Sequence, residues 1–98
     1  MNYYVYILTI IVERSAYEVH LPAHLDYLRQ LDAAGTLVLS GPFTDRRGGM
    51  VMIRAESEAA ARAVAEADPL VAQGVDTYEL RGWRLTGGDL QRLQLETA

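Results

Sequence analysis

The sequence predicts an α+β protein with the element order β-α-β-β-α-β and one antiparallel sheet. Three observations predict this class. Four strand-like and two helix-like segments alternate in that order along one short chain. The first and third strand-like segments, 3–12 and 50–55, are apolar on both faces, which is typical of central strands. The ferredoxin-like arrangement places those two strands in the middle of the sheet, so the local and global patterns agree.

The first strand is predicted at 3–12, where aromatic and β-branched residues follow one another without glycine or proline. Because successive side chains alternate between faces, each face can be listed. One face carries Tyr3, Val5, Ile7 and Ile11, and the other carries Tyr4, Tyr6, Leu8, Ile10 and Val12. Residues 13–19 form a polar connection that contains at most a short helical turn.

The first helix is predicted over 22–34. Pro22 suits a first helical position because its missing N–H group would have no partner there, and Gly35 suits the left-handed residue just past a helix end. An apolar stripe along this helix consists of Leu25, Leu28 and Leu31. His24 lies on or beside that stripe, where a titratable ring is unexpected.

The second and third strands are predicted at 36–40 and 50–55, as antiparallel neighbours. The polar, glycine-containing segment 44–49 between them has the residue types of a hairpin loop. We expect Gly41-Pro42 to end the second strand, because proline cannot donate a hydrogen bond to a neighbouring strand.

The second helix is predicted to begin after Ser57, a good N-cap residue, and to continue through the alanine-rich segment 59–67. The proline that follows Asp68 should end the helix near that residue. Residues 71–74 then form a loop or an extra turn, and the fourth strand follows.

The fourth strand, at 76–85, alternates polar and apolar residues, which is typical of an edge strand. We expect residues 1–85 to form the folded domain. Residues 86–98 are expected to form a tail or a short helix.

Composition argues against several classes of function. The net charge of −4, without a basic cluster, predicts no nucleic-acid partner. Without cysteine there is no disulfide or zinc–sulfur site, and His20 with His24 lacks a third ligand, so no metal is expected. The apolar run 3–12 is too short to span a bilayer and no basic residue precedes it, so we expect a cytoplasmic protein without a membrane segment.

Three motifs occur in a fairly specific order and spacing. They are His-Leu-x-Tyr-Leu at His24–Leu28, Gly41-Pro42 after a strand, and Asp68-Pro69 at the end of the second helix. With them, from about Tyr3 to Leu85, the chain resembles the YCII-related family of small dimeric α+β barrel proteins.

This resemblance implies an active site around a histidine and an aspartate, which correspond here to His24 and Asp68. Family members often carry an arginine three residues before that histidine, and here the position holds Leu21. The departure weakens any expectation that an arginine at this position binds an anion.

The residue pattern favours the same pair independently. Asp68 follows small apolar residues at helical spacing, so its carboxylate lies on an apolar face if the helix extends that far. Both helices cover one sheet face, and a carboxylate beside His24 would fix the tautomer of the ring and favour its protonated form. The alternative is that Asp68 caps a turn and His24 is a satisfied core histidine.

Three functions are compatible with these residues. The first is a cofactor-independent lyase or isomerase that uses His24 and Asp68 as an acid–base pair on a small aromatic or hydrophobic substrate, with Ser40, Gly41 and Pro42 as binding residues. The second is a non-catalytic metabolite-binding or interaction module. The third, a haem- or oxygen-dependent relative, rests on fold analogy alone.

Two helices can cover only one face of the sheet, and the opposite face is also apolar. We therefore expect a homodimer in which a second copy covers that face.

Overall fold

The structure is a computed structural model that describes residues 1–96, and it confirms the α+β, ferredoxin-like class. The strands are β1 (Asn2–Ile10), β2 (Leu37–Pro42), β3 (Gly48–Ala55) and β4 (Asp76–Gly82). They form one antiparallel sheet in the order β2-β3-β1-β4, so β1 and β3 are central as predicted. The helices are α1 (Arg14–Glu18), α2 (Leu21–Ala33), α3 (Glu58–Ala67) and α4 (Pro69–Ala72).

The core lies between the helices and one face of the sheet. The largest contributions come from alternate residues of the two central strands, with small residues of α3 packed over them: Tyr6, Leu8, Val51, Ile53, Ala61 and Ala65. The opposite face of β1 and β3 carries Tyr3, Val5, Ile7, Met50 and Met52. We call this second surface the open face, because the described helices all pack on the other side.

The ends of three strands differ from the prediction. β1 ends at Ile10 and β4 at Gly82, each earlier than expected. β2 ends at Gly41-Pro42, as expected, but it includes these two residues instead of stopping at Ser40, because Pro42 pairs with Gly49. β2 is an edge strand, and the outer side of its backbone has no partner strand. Proline can therefore be accommodated there without the loss of a hydrogen bond between strands.

β3 begins at Gly48, within the segment predicted as a hairpin loop. A Cβ atom added to Gly48 would lie 1.8 Å from the carbonyl oxygen of Leu8. One added to Gly49 would lie 2.7 Å from the carbonyl oxygen of Gly41. Because the two glycines have no side chain, β1 and β2 can approach β3 closely at these positions. This explains why both glycines lie within the sheet.

The helix ends follow the local chemistry. α2 begins one residue before Pro22, and Gly35 after its end has a φ of 77°, in the left-handed region. At the start of α3, the Ser57 hydroxyl oxygen accepts a hydrogen bond of 3.1 Å from the Ala60 N–H group. α3 ends at Ala67 and α4 occupies Pro69–Ala72, so the first part of the segment predicted as a loop or an extra turn is helical.

The C-terminal segment contains a 3-10 turn at Leu90–Arg92, and the side chains of Leu90 and Leu93 are exposed. Residues 97–98 of the expected tail lie outside the described residues. None of the helices in residues 1–96 is long and apolar enough to cross a membrane.

Candidate active site

Asp68 occupies the junction between α3 and α4. Its backbone is extended there, with φ −61° and ψ 126°, because the residue before a proline is disfavoured in helical conformation. The Oδ1 atom accepts a hydrogen bond of 3.0 Å from the Leu70 N–H group and so caps α4. The second predicted helix therefore does not extend through Asp68, yet the side chain of Asp68 is fully buried.

His24 lies in the first turn of α2 and faces this carboxylate. The Nδ1 atom of the ring is 2.8 Å from Oδ1 and 2.9 Å from Oδ2 of Asp68. Because an ionised carboxylate only accepts hydrogen bonds, Nδ1 is the donor. Two residues separated by 44 positions in the chain are thus in direct contact.

Tyr6, in the middle of β1, supplies a third donor to the same carboxylate. Its hydroxyl group donates a hydrogen bond of 2.9 Å to Oδ2 of Asp68, and its side chain is fully buried. Burial, followed by the negative charge of Asp68, holds the pKa of Tyr6 well above its ordinary value. Tyr6 therefore stays neutral and donates. The sequence analysis placed Tyr6 on a strand face and missed this role.

The arrangement determines which atom of His24 can carry a proton. With Nδ1 committed to Asp68, the neutral ring has its lone pair on Nε2, and the protonated ring has an N–H group there. The His24 side chain is 10% exposed and that of Asp68 is 0% exposed, so the ring connects the pair to solvent. The geometry suits a general base or acid at Nε2, with the ring held in place by the contact between Nδ1 and Asp68.

Tyr27 holds α2 in place one turn after His24. Its hydroxyl group donates a hydrogen bond of 2.8 Å to the carbonyl oxygen of Val64 in α3. Burial, followed by the charge of Asp68, raises the pKa of Tyr27 above its ordinary value. This bond connects the helix that carries His24 to the helix that ends at Asp68.

A second buried carboxyl, Asp76 at the start of β4, was also missed by the sequence analysis. Its side chain faces the helices, and burial, followed by the negative charge of Asp68, raises its pKa from 3.8 to about 6. The charge of His24 acts in the opposite direction. The pKa of Asp76 therefore depends on the charges of both Asp68 and His24.

The remaining predicted site residues lie away from this contact. Ser40, Gly41 and Pro42 are exposed on the edge strand β2. Ser40 pairs with Val51, which pairs with Tyr6, so Ser40 is on the helix-covered face two strands from Tyr6. That spacing corresponds to about 10 Å. Within residues 1–96, the hydrogen bonds of the pair do not involve Ser40.

Two grooves of the surface lie at opposite ends of β1. One, of about 570 Å³, is lined by residues 1–4 and 82–85. The other, of about 460 Å³, is lined by Thr9, Ile10, Val12, Arg14, Arg46 and Arg47. Neither is lined by His24 or Asp68, so the pair does not sit in either groove. Across residues 1–96, no three histidine, aspartate or glutamate side chains are grouped to hold a metal ion.

Comparisons with known proteins agree with this fold. The family model described as the YCII-related domain matches residues 1–84. The uncharacterized protein YjpA of Bacillus subtilis strain 168 is 33% identical over 82 residues, which cover 84% of this chain and 96% of YjpA.

Among solved structures, the chain is similar to 5-chloro-2-hydroxyhydroquinone dehydrochlorinase (TftG) from Burkholderia phenoliruptrix AC1100, in complex with 2,5-dihydroxybenzoquinone. The TM-score is 0.66 at 22% identity, and the match covers 84% of this chain and 93% of the other. At this identity, the similarity establishes a shared fold.

Proposed function

This chain belongs to the YCII-related domain family, and from that premise we propose that it is a small-molecule enzyme of the lyase or isomerase type in which His24 moves a proton. The observation that carries the proposal is the buried contact between Nδ1 of His24 and both carboxylate oxygens of Asp68. It leaves Nε2 as the reactive atom, in a defined tautomer. The proposed reaction uses protein groups and substrate alone.

In the proposed reaction, neutral His24 accepts a proton at Nε2 from an O–H or C–H group of the substrate. The electron pair left on the substrate forms a double bond and either expels a leaving group or takes up the proton at another carbon atom. The first outcome is a lyase reaction and the second an isomerisation. The negative charge of Asp68 stabilises the protonated ring and fixes its direction, so Asp68 is a positioning residue.

The proposed substrate class is small hydroxylated aromatic or quinone-like molecules. Support comes from the shared fold with a dehydrochlorinase that binds 2,5-dihydroxybenzoquinone. A ligand of this class needs contacts beyond a single ring nitrogen. We assign Ser40, Gly41 and Pro42, which are exposed on the strand edge beside the helix-covered face, to substituents of a larger substrate that extend to this side of His24.

The test is release of chloride from 5-chloro-2-hydroxyhydroquinone. We expect the native protein to release chloride, and His24→Gln to slow the reaction by about 100-fold or more, the usual contribution of a general acid–base group. His20→Gln is the matched control, because His20 precedes α2 and its side chain forms no hydrogen bond within the described residues. Full activity of folded His24→Gln, or a native protein that neither reacts nor binds 2,5-dihydroxybenzoquinone, would reject the proposal.

A structural role for the pair is the competing interpretation, and one observation favours it. Asp68 caps α4 through the Leu70 N–H group while it also contacts His24, so the carboxylate joins α2, α3 and α4 whether or not a ligand binds. In that case the site would be that of a binding module. His24→Gln would then reduce stability and leave ligand binding or turnover unchanged.

We also propose that the protein is a homodimer formed through the open face. Val5 and Met52 are buried on that face by neighbouring side chains, and Tyr3, Ile7 and Met50 around them remain half-buried. Two copies that join such faces would remove the apolar surface from water, as in obligate interfaces.

A further inference from the structure

Asp76 is a buried carboxyl group that the fold itself does not use. Its residue is 4% exposed, and neither side-chain oxygen has a hydrogen-bond partner within residues 1–96. Buried polar groups are normally satisfied, and an unsatisfied carboxyl is costly. Asp68, by contrast, accepts hydrogen bonds from His24, Tyr6 and Leu70. The two carboxyl groups therefore have different environments.

The position of Asp76 connects it to the proposed site. It pairs with Ile10 at the end of β1 and lies on the helix-covered face, as does Tyr78 two residues later. The titratable groups that act on it are Asp68 at the α3–α4 junction and His24 of α2. Asp76 also acts on Tyr17 of α1: burial, followed by the charge of Asp76, raises the pKa of Tyr17.

We propose that Asp76 is a ligand-binding carboxyl of the same site, which donates a hydrogen bond to a carbonyl or enolate oxygen of a keto–enol ligand held beside His24. This inference rests on the proposed function, because the ligand is the molecule on which His24 acts. Two carboxyl groups with different environments can take two roles in one site. Asp68 accepts hydrogen bonds and orients His24, and Asp76 supplies the donor that an electron-rich oxygen of the ligand needs.

In the proposal, the ligand reaches Asp76 past α1, which contributes little to the core. None of the five residues of α1 is buried, and its contribution to the core is the half-buried ring of Tyr17. The Arg14 guanidinium lies over that ring at 5.3 Å and also lines the groove that includes Ile10, the cross-strand partner of Asp76. In the proposal, the ligand enters from this groove and displaces Tyr17.

The test is calorimetric titration of 2,5-dihydroxybenzoquinone into the full chain between about pH 5.5 and pH 8. In the native protein, ionisation of Asp76 removes the donor, so the dissociation constant should rise by up to about tenfold per pH unit above the pKa of about 6. Asp76→Asn keeps a neutral donor and should lose this rise. Asp76→Ala should bind about tenfold more weakly than the native protein at the lowest pH.

The matched control is Asp32→Asn, which makes the same change of charge at an exposed position of α2. The probe ionises alike in all variants, so a difference between Asp76→Asn and Asp32→Asn belongs to the carboxyl group at position 76. Equal pH dependence in native protein and Asp76→Asn, or native affinity in Asp76→Ala, would overturn the inference. If His24→Gln still abolishes turnover in that case, the proposed function survives. A native protein that does not bind the probe would contradict both.

Discussion

The hydroxyl group of Tyr6 and the carboxylate of Asp68 are joined by a buried hydrogen bond of 2.9 Å that connects the central strand to the α3–α4 junction. Asp68 therefore has donors on three sides, from the sheet, from α2 and from α4. A buried carboxylate tolerates its loss of hydration only when such donors replace water. The contact explains how a charged group can lie in the core of a 98-residue protein.

Tyr6→Phe tests the value of this contact. The variant keeps the ring in the core and removes one donor to a buried charge, so we expect the free energy of unfolding to fall by about 2 kcal/mol. Tyr27→Phe is the control, because it removes a hydrogen bond of 2.8 Å to a neutral carbonyl oxygen and should cost about 1 kcal/mol. Urea denaturation measures both. A smaller loss for Tyr6→Phe than for Tyr27→Phe would contradict the account.

Asp76 should give the stability of the protein a dependence on pH. Its pKa rises from 3.8 to about 6 on folding, so the folded state favours the protonated carboxyl. The associated stability is present below about pH 4 and is lost as the pH rises through about 6. Asp76→Asn should therefore be more stable than the native protein at about pH 7.5, by up to about 3 kcal/mol, and similar to it near pH 4.

Thermal or urea unfolding at the two pH values measures this effect, with Asp32→Asn as the control for a change of net charge. The opposite result, in which Asp76→Asn is the less stable protein at about pH 7.5, would mean that the ionised carboxylate has a favourable partner.

Aspartate substitutions at two adjacent residues of β1 should have different effects, one on folding and the other on dimer formation. Leu8 is 3% exposed in the core, so Leu8→Asp should unfold the domain. Ile7 points to the open face, so Ile7→Asp should leave the circular dichroism of the domain intact and convert a dimer into a monomer. Light scattering measures the second effect. A native protein that is monomeric at micromolar concentration would disprove the dimer.

The fold was predictable because its signals are local. Apolar residues on both faces identify the two central strands, and single residues such as Pro22, Gly35 and Ser57 set helix ends through their own backbone chemistry. The strand ends were less predictable. The place of Gly48 in β3, for example, depends on the approach of Leu8 from the neighbouring strand.

The site was only partly predictable. His24 and Asp68 each break an apolar helical pattern, and that is a visible signal. Tyr6 and Asp68 are separated by 62 positions in the chain, and no local pattern specifies their contact. A tyrosine at a core position does require a hydrogen-bond partner for its hydroxyl group, and this requirement is the signal in the sequence that points to the contact. The burial of Asp76 depends on how the helices cover the end of the sheet, which the sequence pattern does not encode.

The most direct test of the central claim is NMR titration of the two histidine rings in the native protein and in Asp68→Asn. The account requires the negative charge of Asp68 to favour the protonated ring of His24 at a distance of 2.8 Å. In Asp68→Asn, the His24 ring should lose its proton at a lower pH than in the native protein. The His20 ring, which has no such contact in the described structure, should titrate as before. An unchanged His24 titration in folded Asp68→Asn would show that the carboxylate does not control the proton and would contradict the account.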